Sequence, residues 1–215
     1  MTTSTEEWLS HLHRLIDRDN YIYADDLRNW GFTIYRTCYT PSSDEKWPQL
    51  LETIQTCAHN DVLSQTQSKE DDAQFKKVMS LFRLDARSEP SLSALTIPQL
   101  RELYNTTSTD PPLNSDFPLR RVFLVASAET FWADEPDTVI TCVDADYRTE
   151  NYVSRGRYTQ QYFGWMPMRA RCVAEFWEEL QWREMDRIAP QTIGGRHLVV
   201  WGGGQPRFWV DGEEG

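Results

Sequence analysis

The sequence has no run approaching the roughly 18 apolar residues that a membrane-crossing helix needs, so no membrane association is expected. Its opening stretch, MTTSTEEWLSHLHRLIDRDN, lacks a basic segment followed by an apolar core, which argues against a secretory leader. Cysteine is scarce. Cys38, Cys57, Cys142 and Cys172 are scattered without a C-x-x-C pair and are expected to be reduced, packed thiols, consistent with a cytoplasmic setting. Positive charge is short as well: 22 Lys and Arg stand against 33 Asp and Glu, a net charge of −11. Nucleic-acid binding by the whole surface is therefore disfavoured, because phosphate contacts need Lys and Arg. Catalytic signatures are missing too: there is no G-x-x-x-x-G-K-[ST], G-x-S-x-G, H-E-x-x-H, or G-x-G-x-x-G after a strand. His11 and His13 fall two apart on an expected helix and point away from each other, while His59 and His197 are isolated, so no metal is expected. No cofactor is implied by any motif. The three glycines at 202–204 lie between two short expected strands rather than before a helix, which suits a turn better than a phosphate cradle.

What the chain does have is aromatic bulk, with nine Trp, nine Tyr and nine Phe, enough to bury a core without covalent staples. Its organising stretch is WGFTIYRTCYTPSSDEKWPQLLETIQTCA, residues 30–58. Phe32, Ile34 and Cys38 alternate with Thr33, Tyr35, Thr37 and Tyr39, the period of a strand with two different faces. Ser42 or Ser43 then caps a helix, with Glu45 completing a capping box and Pro48 near the first turn. Trp47, Leu50, Leu51 and Ile54 give that helix one apolar face.

Around this unit the sequence predicts an N-terminal helix over 1–20, capped by Ser4 with Glu7. Polar stretches at 60–72 and 106–118 are read as mobile loops. Strands are expected at 81–87, 121–127 and 138–146, and another at 162–171, where Pro167 demands an edge position or a bulge. A helix from Val173 to about Ile188 and a closing pair of strands at 197–201 and 207–210 complete the order. Alternation of strands and helices is incomplete. The expectation is therefore a single α+β domain over 1–215, with a mixed, largely antiparallel sheet and helices packed mainly on one face.

Gly31–Tyr39 followed by Ser43-Asp44-Glu45-x-Trp47 resembles a family of ascomycete (fungal) proteins with a GFTIYRTxYTPxSDExW-type motif. Pro98 with Arg101, Arg121-Val-Phe-Leu-Val, Val143-Asp144-x-Asp146 and Tyr162-x-Gly164-Trp165-Met166 fit the same resemblance, which spans most of 30–170. It implies a fungal, intracellular protein tied to specialised metabolism. It carries no catalytic residues to transfer.

Candidate site residues therefore come from position and chemistry. Asp144 and Asp146 end the most β-branched strand on one side, where paired carboxylates could bind an ammonium group or move a proton. With Tyr35 they form the candidate catalytic set. Arg36 shares the apolar face of its strand and needs a carboxylate or an anion, a structural ion pair being the plainer account. Arg83 and Asp85, with Arg87, line one face of another strand and read more simply as a charge-paired row. Between Tyr147 and Cys172 lie five arginines and one acid, Glu150, interleaved with aromatics. Tyr162, Trp165, Arg169 and Arg171 in this segment are candidate substrate-binding residues, and Arg169 and Arg171 would join the two aspartates if their strands were neighbours. The favoured reading is a metal-free, redox-cofactor-free enzyme acting on a small molecule in a pocket at the strand ends. A transferase using an aminoacyl-tRNA or other phosphorylated carrier through 147–172, and a non-catalytic interaction module, are the alternatives.

Overall fold

The computed structural model describes residues 4–17, 22–117, 120–132, 138–152, 162–190, 192–193, 196–197 and 199–203. Strand β3 (Trp30–Arg36) is buried along its whole length. It lies inside a five-stranded sheet of order β4-β3-β5-β6-β7, built from β4 (Phe82–Arg87), β5 (Val122–Ala126), β6 (Val139–Asp144) and β7 (Trp165–Arg169). β3 runs parallel to both β4 and β5, whereas β5, β6 and β7 form an antiparallel meander. The sheet is mixed, as expected, with its parallel and antiparallel halves meeting at β5. β7 carries Pro167 and sits at the sheet edge, where a missing N–H is tolerated.

Alternation along β3 assigns its two faces to two cores. Phe32 and Ile34 pack beneath α2 (Pro41–Thr66) and α5 (Val173–Glu179), together with Leu124, Cys142 and Met168. Tyr35 turns to the other face and meets Phe123, Val125, Val143 and the Leu100 and Tyr104 side chains of α4 (Ile97–Thr106). Among the described residues α2 and α5 therefore cover the first face, with side chains of α1 (Thr5–Ser10), α3 (Ala73–Ser80) and α6 (Met185–Ile188) joining the same core, and α4 covers the second. Helix α2 starts two residues before Ser43: Thr40 is its N-cap, and the Thr40 and Ser43 hydroxyls accept from each other's backbone N–H at 3.2 and 2.8 Å. Its buried stripe is Trp47, Leu50, Ile54, Ala58 and Val62, the expected face carried two turns further.

Three expectations change. The helix expected over 1–20 is confined to α1 (Thr5–Ser10), which Ser4 caps through Glu7 N–H at 3.1 Å. After it, β1 (His13–Asp17) pairs antiparallel with β2 (Ile22–Leu27), so pairing partners outweigh the local helical pattern. The stretch 60–72 is helical through Thr66, ending at Gln67 with φ 50, and Asp72 caps α3 (Ala73–Ser80) by accepting from Gln74 N–H and Phe75 N–H. The C-terminal helix breaks after Glu179 and resumes as the single turn α6 (Met185–Ile188). β8 (Thr192–Ile193) and β9 (Arg196–His197) pair antiparallel, and Trp201 bridges to Met168 of β7. The expected strand at 207–210 lies outside the described residues. All four cysteines are free thiols. Among the described residues no helix is long and apolar enough to cross a membrane.

Where α2 packs on α5, Asp61 has its carboxyl pushed up to about 6, first by burial and then by Glu175, with Arg171 opposing. A raised carboxyl destabilises the fold as it ionises: the favourable contribution is complete below the ordinary range and is lost as pH rises through about 6. Wild-type protein should therefore lose denaturation midpoint relative to Asp61→Asn between about pH 4 and neutrality. Parallel pH profiles for the two proteins would mean that Asp61 is not buried as described.

Candidate functional site

Ile140 and Cys142 of β6 belong to the α2/α5 face and Val143 to the α4 face, so alternation aims Asp144 toward the α2/α5 side. There the strand ends in a cleft of about 200 Å³, lined by Arg121, Asp144, Asp146, Tyr152, Glu184 and Met185. The Asp144 side chain is fixed from both sides. Its Oδ1 accepts from Asp146 N–H at 2.9 Å, and its Oδ2 accepts from the Tyr162 hydroxyl at 3.0 Å. Burial raises the Asp144 carboxyl above the ordinary carboxylate range, with the neighbouring Asp146 adding to the shift, although the two hydrogen bonds oppose it. Burial also raises the Tyr162 phenol, and Asp144 raises it further. Proton-bearing and proton-accepting groups thus meet at one point of the cleft.

Arg101, from α4, holds this strand end together. Its Nε donates to the Asp144 carbonyl at 2.9 Å and its Nη2 to the Gly164 carbonyl at 2.7 Å. Gly164 has φ +73, and a Cβ there would stand 2.4 Å from Arg101 Nη2 and 2.2 Å from the Tyr147 ring. Only glycine lets the guanidinium come this close. Asp146 is held separately, with Arg121 Nε lying 3.0 and 2.8 Å from its two oxygens. Arg121 also donates to the Ser115 carbonyl and to Asn105 Oδ1, and Asn105 Nδ2 donates to the Ala145 carbonyl at 3.1 Å.

Tyr152 walls the cleft, and two further tyrosines pack against it. Tyr147 stacks on Tyr152 with centroids 5.4 Å apart, and Tyr162 meets both edge-on at 5.7 and 5.0 Å. Burial, then Asp186, Asp144 and Glu184, push the Tyr152 phenol up to about 12. Asp186 faces the same tyrosines, and its Oδ1 is buried with no hydrogen-bond donor among the described residues. Four carboxylates, Asp144, Asp146, Glu184 and Asp186, thus stand beside these rings, with Arg121 committed to Asp146 and Arg101 opposing the upward shift of Asp144.

Of the candidates from sequence, Asp144, Asp146 and Tyr162 come together here, and the others do not. The β6–β7 register is antiparallel, which places Arg169 opposite Val139, at the far end of the strand from Asp144. Arg171 lies beside Asp61 and Glu175 instead. Trp165 pairs with Val143, shares its face, and packs against the His197 ring at 4.2 Å. Tyr35 is on the α4 face, 5.4 Å from Phe123. Its hydroxyl lacks a hydrogen-bond partner among the described residues, and burial pushes it up to about 12. It cannot act with Asp144 across the sheet.

Arg36 is 5% exposed and belongs to the start of α2: it pairs with Asp44, donates to Ser43 Oγ at 3.0 Å and Cys38 O at 2.9 Å, and lies over Tyr39. That is a structural ion pair at the opposite end of the sheet. On β4, Asp85 accepts from Arg87 Nε at 3.0 Å and Thr33 Oγ1 at 2.7 Å, and Arg87 also pairs with Asp110 at 3.0 Å. Arg83 stands apart, donating to the Ser80 and Phe82 carbonyls. Arg155, Arg157 and Tyr158 of the arginine-rich segment lie outside the described residues.

Arg101, Arg121, Tyr147, Tyr152, Glu184 and Asp186 were missed by sequence reasoning. They come from α4, the start of β5, the turn after β6 and the approach to α6, and no local spacing links them. A larger groove of about 420 Å³ follows Gln49, Glu52, Thr53 and Cys57, but it is the outer side of one helix without convergent chemistry. Among the described residues no cluster of three or more His, Cys, Asp or Glu is arranged to hold a metal ion. The chain matches no protein-family model, no curated protein and no solved structure.

Proposed function

We propose that the protein is an enzyme of small-molecule metabolism whose substrate carries an amine, bound as its ammonium in the cleft at the end of β6. The observation that carries the reading is the Asp144–Tyr162 hydrogen bond, set beside Tyr147 and Tyr152 and three further carboxylates, Asp146, Glu184 and Asp186, against the two guanidiniums of Arg101 and Arg121. Aromatic faces and carboxylates both attract a cation, and the attraction strengthens as water is displaced. Asp144 is the proton acceptor in this reading. Its raised affinity for a proton suits it to take one from the substrate ammonium, freeing the lone pair to add to a carbonyl carbon of a second group; the carbonyl π pair moves onto its oxygen, which then receives the proton from Asp144. Tyr162 orients the acceptor oxygen, and Arg101 fixes the strand end that carries it. The step calls on neither a metal nor a redox cofactor.

Thermal shift against a panel of primary amines, diamines, guanidines and matched carboxylates tests the reading. Amines should raise the melting temperature, and carboxylates should not. Asp144→Asn should abolish the amine response while leaving the melting temperature at neutral pH unchanged or slightly higher. The sign follows from the raised carboxyl: its ionisation opposes folding above the ordinary carboxylate range, and a neutral side chain removes that opposition. A panel in which only carboxylates or phosphates stabilise would overturn the amine assignment. Amine binding that survives Asp144→Asn with turnover intact would remove Asp144 from the mechanism.

A further inference from the structure

The two edges of the five-stranded sheet are finished differently. At β7 the outer side is taken: Trp201 N–H donates to the Pro167 carbonyl at 2.8 Å and Arg169 N–H to the Trp201 carbonyl at 2.9 Å. β4, at the other edge, has no such cover among the described residues. Trp30 N–H donates to the Leu81 carbonyl at 3.0 Å, and β3 runs parallel to β4 with Trp30 opposite Phe82. Alternation then turns the backbone groups of Arg83, Asp85 and Arg87 toward β3, and those of Phe82, Leu84 and Ala86 outward. Among the described residues these outward groups meet a single side chain, Arg83, whose Nη1 donates to the Phe82 carbonyl at 2.7 Å. Leu84 is half-buried and Ala86 exposed, so the edge is open to solvent. A row of unpaired N–H and C=O groups is a template for another strand.

The side chains of β4 decide which strand fits. Arg87 is fully engaged, with Nε on Asp85 and Nη2 on Asp110, both at 3.0 Å. Asp85 is engaged through one oxygen: Thr33 Oγ1 and Arg87 both donate to its Oδ2, and no donor reaches its Oδ1 among the described residues. Arg83 is exposed and donates only to the Ser80 and Phe82 carbonyls of its own chain. A guanidinium and an open carboxylate oxygen thus stand two residues apart on one face of an open edge. An antiparallel second copy of β4, with Leu84 opposite the partner's Leu84, sets Arg83 directly across from the partner's Asp85. Phe82 then faces the partner's Ala86, and every outward backbone group of β4 finds a complement. Centring the pair one residue later would set Asp85 against itself and Arg83 against Arg87, which like charges oppose.

We propose that the chain self-associates through β4, two copies joining their sheets edge to edge about a twofold axis at Leu84. Leu84 exchanges both backbone hydrogen bonds with the partner's Leu84, and the Phe82 carbonyl accepts from the N–H of the partner's Ala86. Arg83 leaves the carbonyls of its own chain for Oδ1 of the partner's Asp85, and the symmetry repeats that contact. Because β7 is already covered, the paired sheets present no further open edge, and association stops at the dimer. This surface stands whether or not the amine reading of the β6 cleft holds.

Sedimentation equilibrium of the full chain over a wide concentration range is the test. The apparent mass should climb from 25.2 kDa to twice that value and no further. Arg83→Glu alters an exposed side chain and sets like charges opposite each other in both halves of the contact, so it should weaken association by about tenfold or more. Ala86→Pro removes only an outward N–H, so the dimer should be lost while the denaturation midpoint holds. Should the proline variant fail to fold, Arg83→Glu decides the matter, since that side chain lies outside the core. A chain that stays at 25.2 kDa throughout, or a dimer that neither variant weakens, would overturn the proposal. A dimer dissolved by Ala86→Pro but untouched by Arg83→Glu would overturn the Leu84-centred register, and growth beyond the dimer would overturn the closed twofold pairing.

Discussion

Gly31→Ala is expected to cost on the order of 4 kcal/mol or more, enough to leave a marginal domain largely unfolded. Two separate effects add at this position. Its φ of +114 is a backbone conformation that side-chain-bearing residues rarely adopt, and holding one there costs roughly 1–3 kcal/mol. A Cβ built on Gly31 would also stand 2.0 Å from the Arg83 carbonyl oxygen and 3.1 Å from its carbon. That neighbour is backbone, not a flexible side chain. Gly31 and Arg83 are partners in the parallel β3–β4 ladder, so relief means moving one strand off the other. The Gly31 carbonyl additionally accepts from Asn114 Nδ2 at 2.8 Å, which ties the same point to the 107–117 turn region. Urea denaturation of the variant provides the check. A loss below about 1 kcal/mol would mean that β3 and β4 do not approach each other as described.

The β3–α2 unit was legible because both of its signals are local. A strand buried on both sides still alternates between two different cores, and the Trp47, Leu50, Ile54 face repeats at helical spacing. The same stripe continues through Ala58 and Val62. Reading 60–72 as a loop gave polar composition more weight than that periodicity, although a long helix with a solvent face is polar there by necessity. Pro167 pointed correctly to an edge strand, since its missing N–H has physical consequences wherever the strand falls. Residues 13–17 gave no such signal. Their strand exists through pairing with 22–27, and pairing partners are not written in local spacing.

The site divides along the same line. A strand end with two carboxylates could be read from β6 alone, and Tyr162 falls close to it because an antiparallel neighbour begins where its partner stops. That geometry removes Arg169. In an antiparallel pair the residues near the connection meet, and those further along diverge, so Arg169 lies opposite Val139. Arg101 reaches the Asp144 carbonyl across 43 positions of sequence and Gly164 across 63, through a helix packed on the other face of the sheet. Nothing in the residue spacing carries that information. Arg120 is a different case: of the two consecutive arginines ahead of the apolar strand, no sequence feature says that the first is buried and the second pairs with Asp146.

Trp30→Ala should cost about 5 kcal/mol, the upper end of what truncating a buried aromatic produces. Trp30 is fully buried at the point where the first core joins four elements. Its ring lies 4.7 Å from Trp8 of α1, 4.6 Å from Phe82 of β4 and 6.2 Å from Trp177 of α5. The cavity left by alanine would be walled by large rigid rings that cannot collapse into it without shifting their own backbones, and limited collapse is what makes truncation expensive. The indole N–H also donates to the Val78 carbonyl at 2.8 Å, tying α3 to the start of β3. Because Leu81 N–H donates to the same carbonyl, losing the indole bond alone should cost only about 1 kcal/mol. Trp30→Phe separates the two contributions: it keeps a ring among the neighbours and removes the donor, and it should cost about 1–2 kcal/mol. If phenylalanine proved as damaging as alanine, the hydrogen bond to Val78 rather than the aromatic packing would be the dominant tie between α3 and the sheet. If alanine cost less than about 2 kcal/mol, the four elements could not be meeting at Trp30.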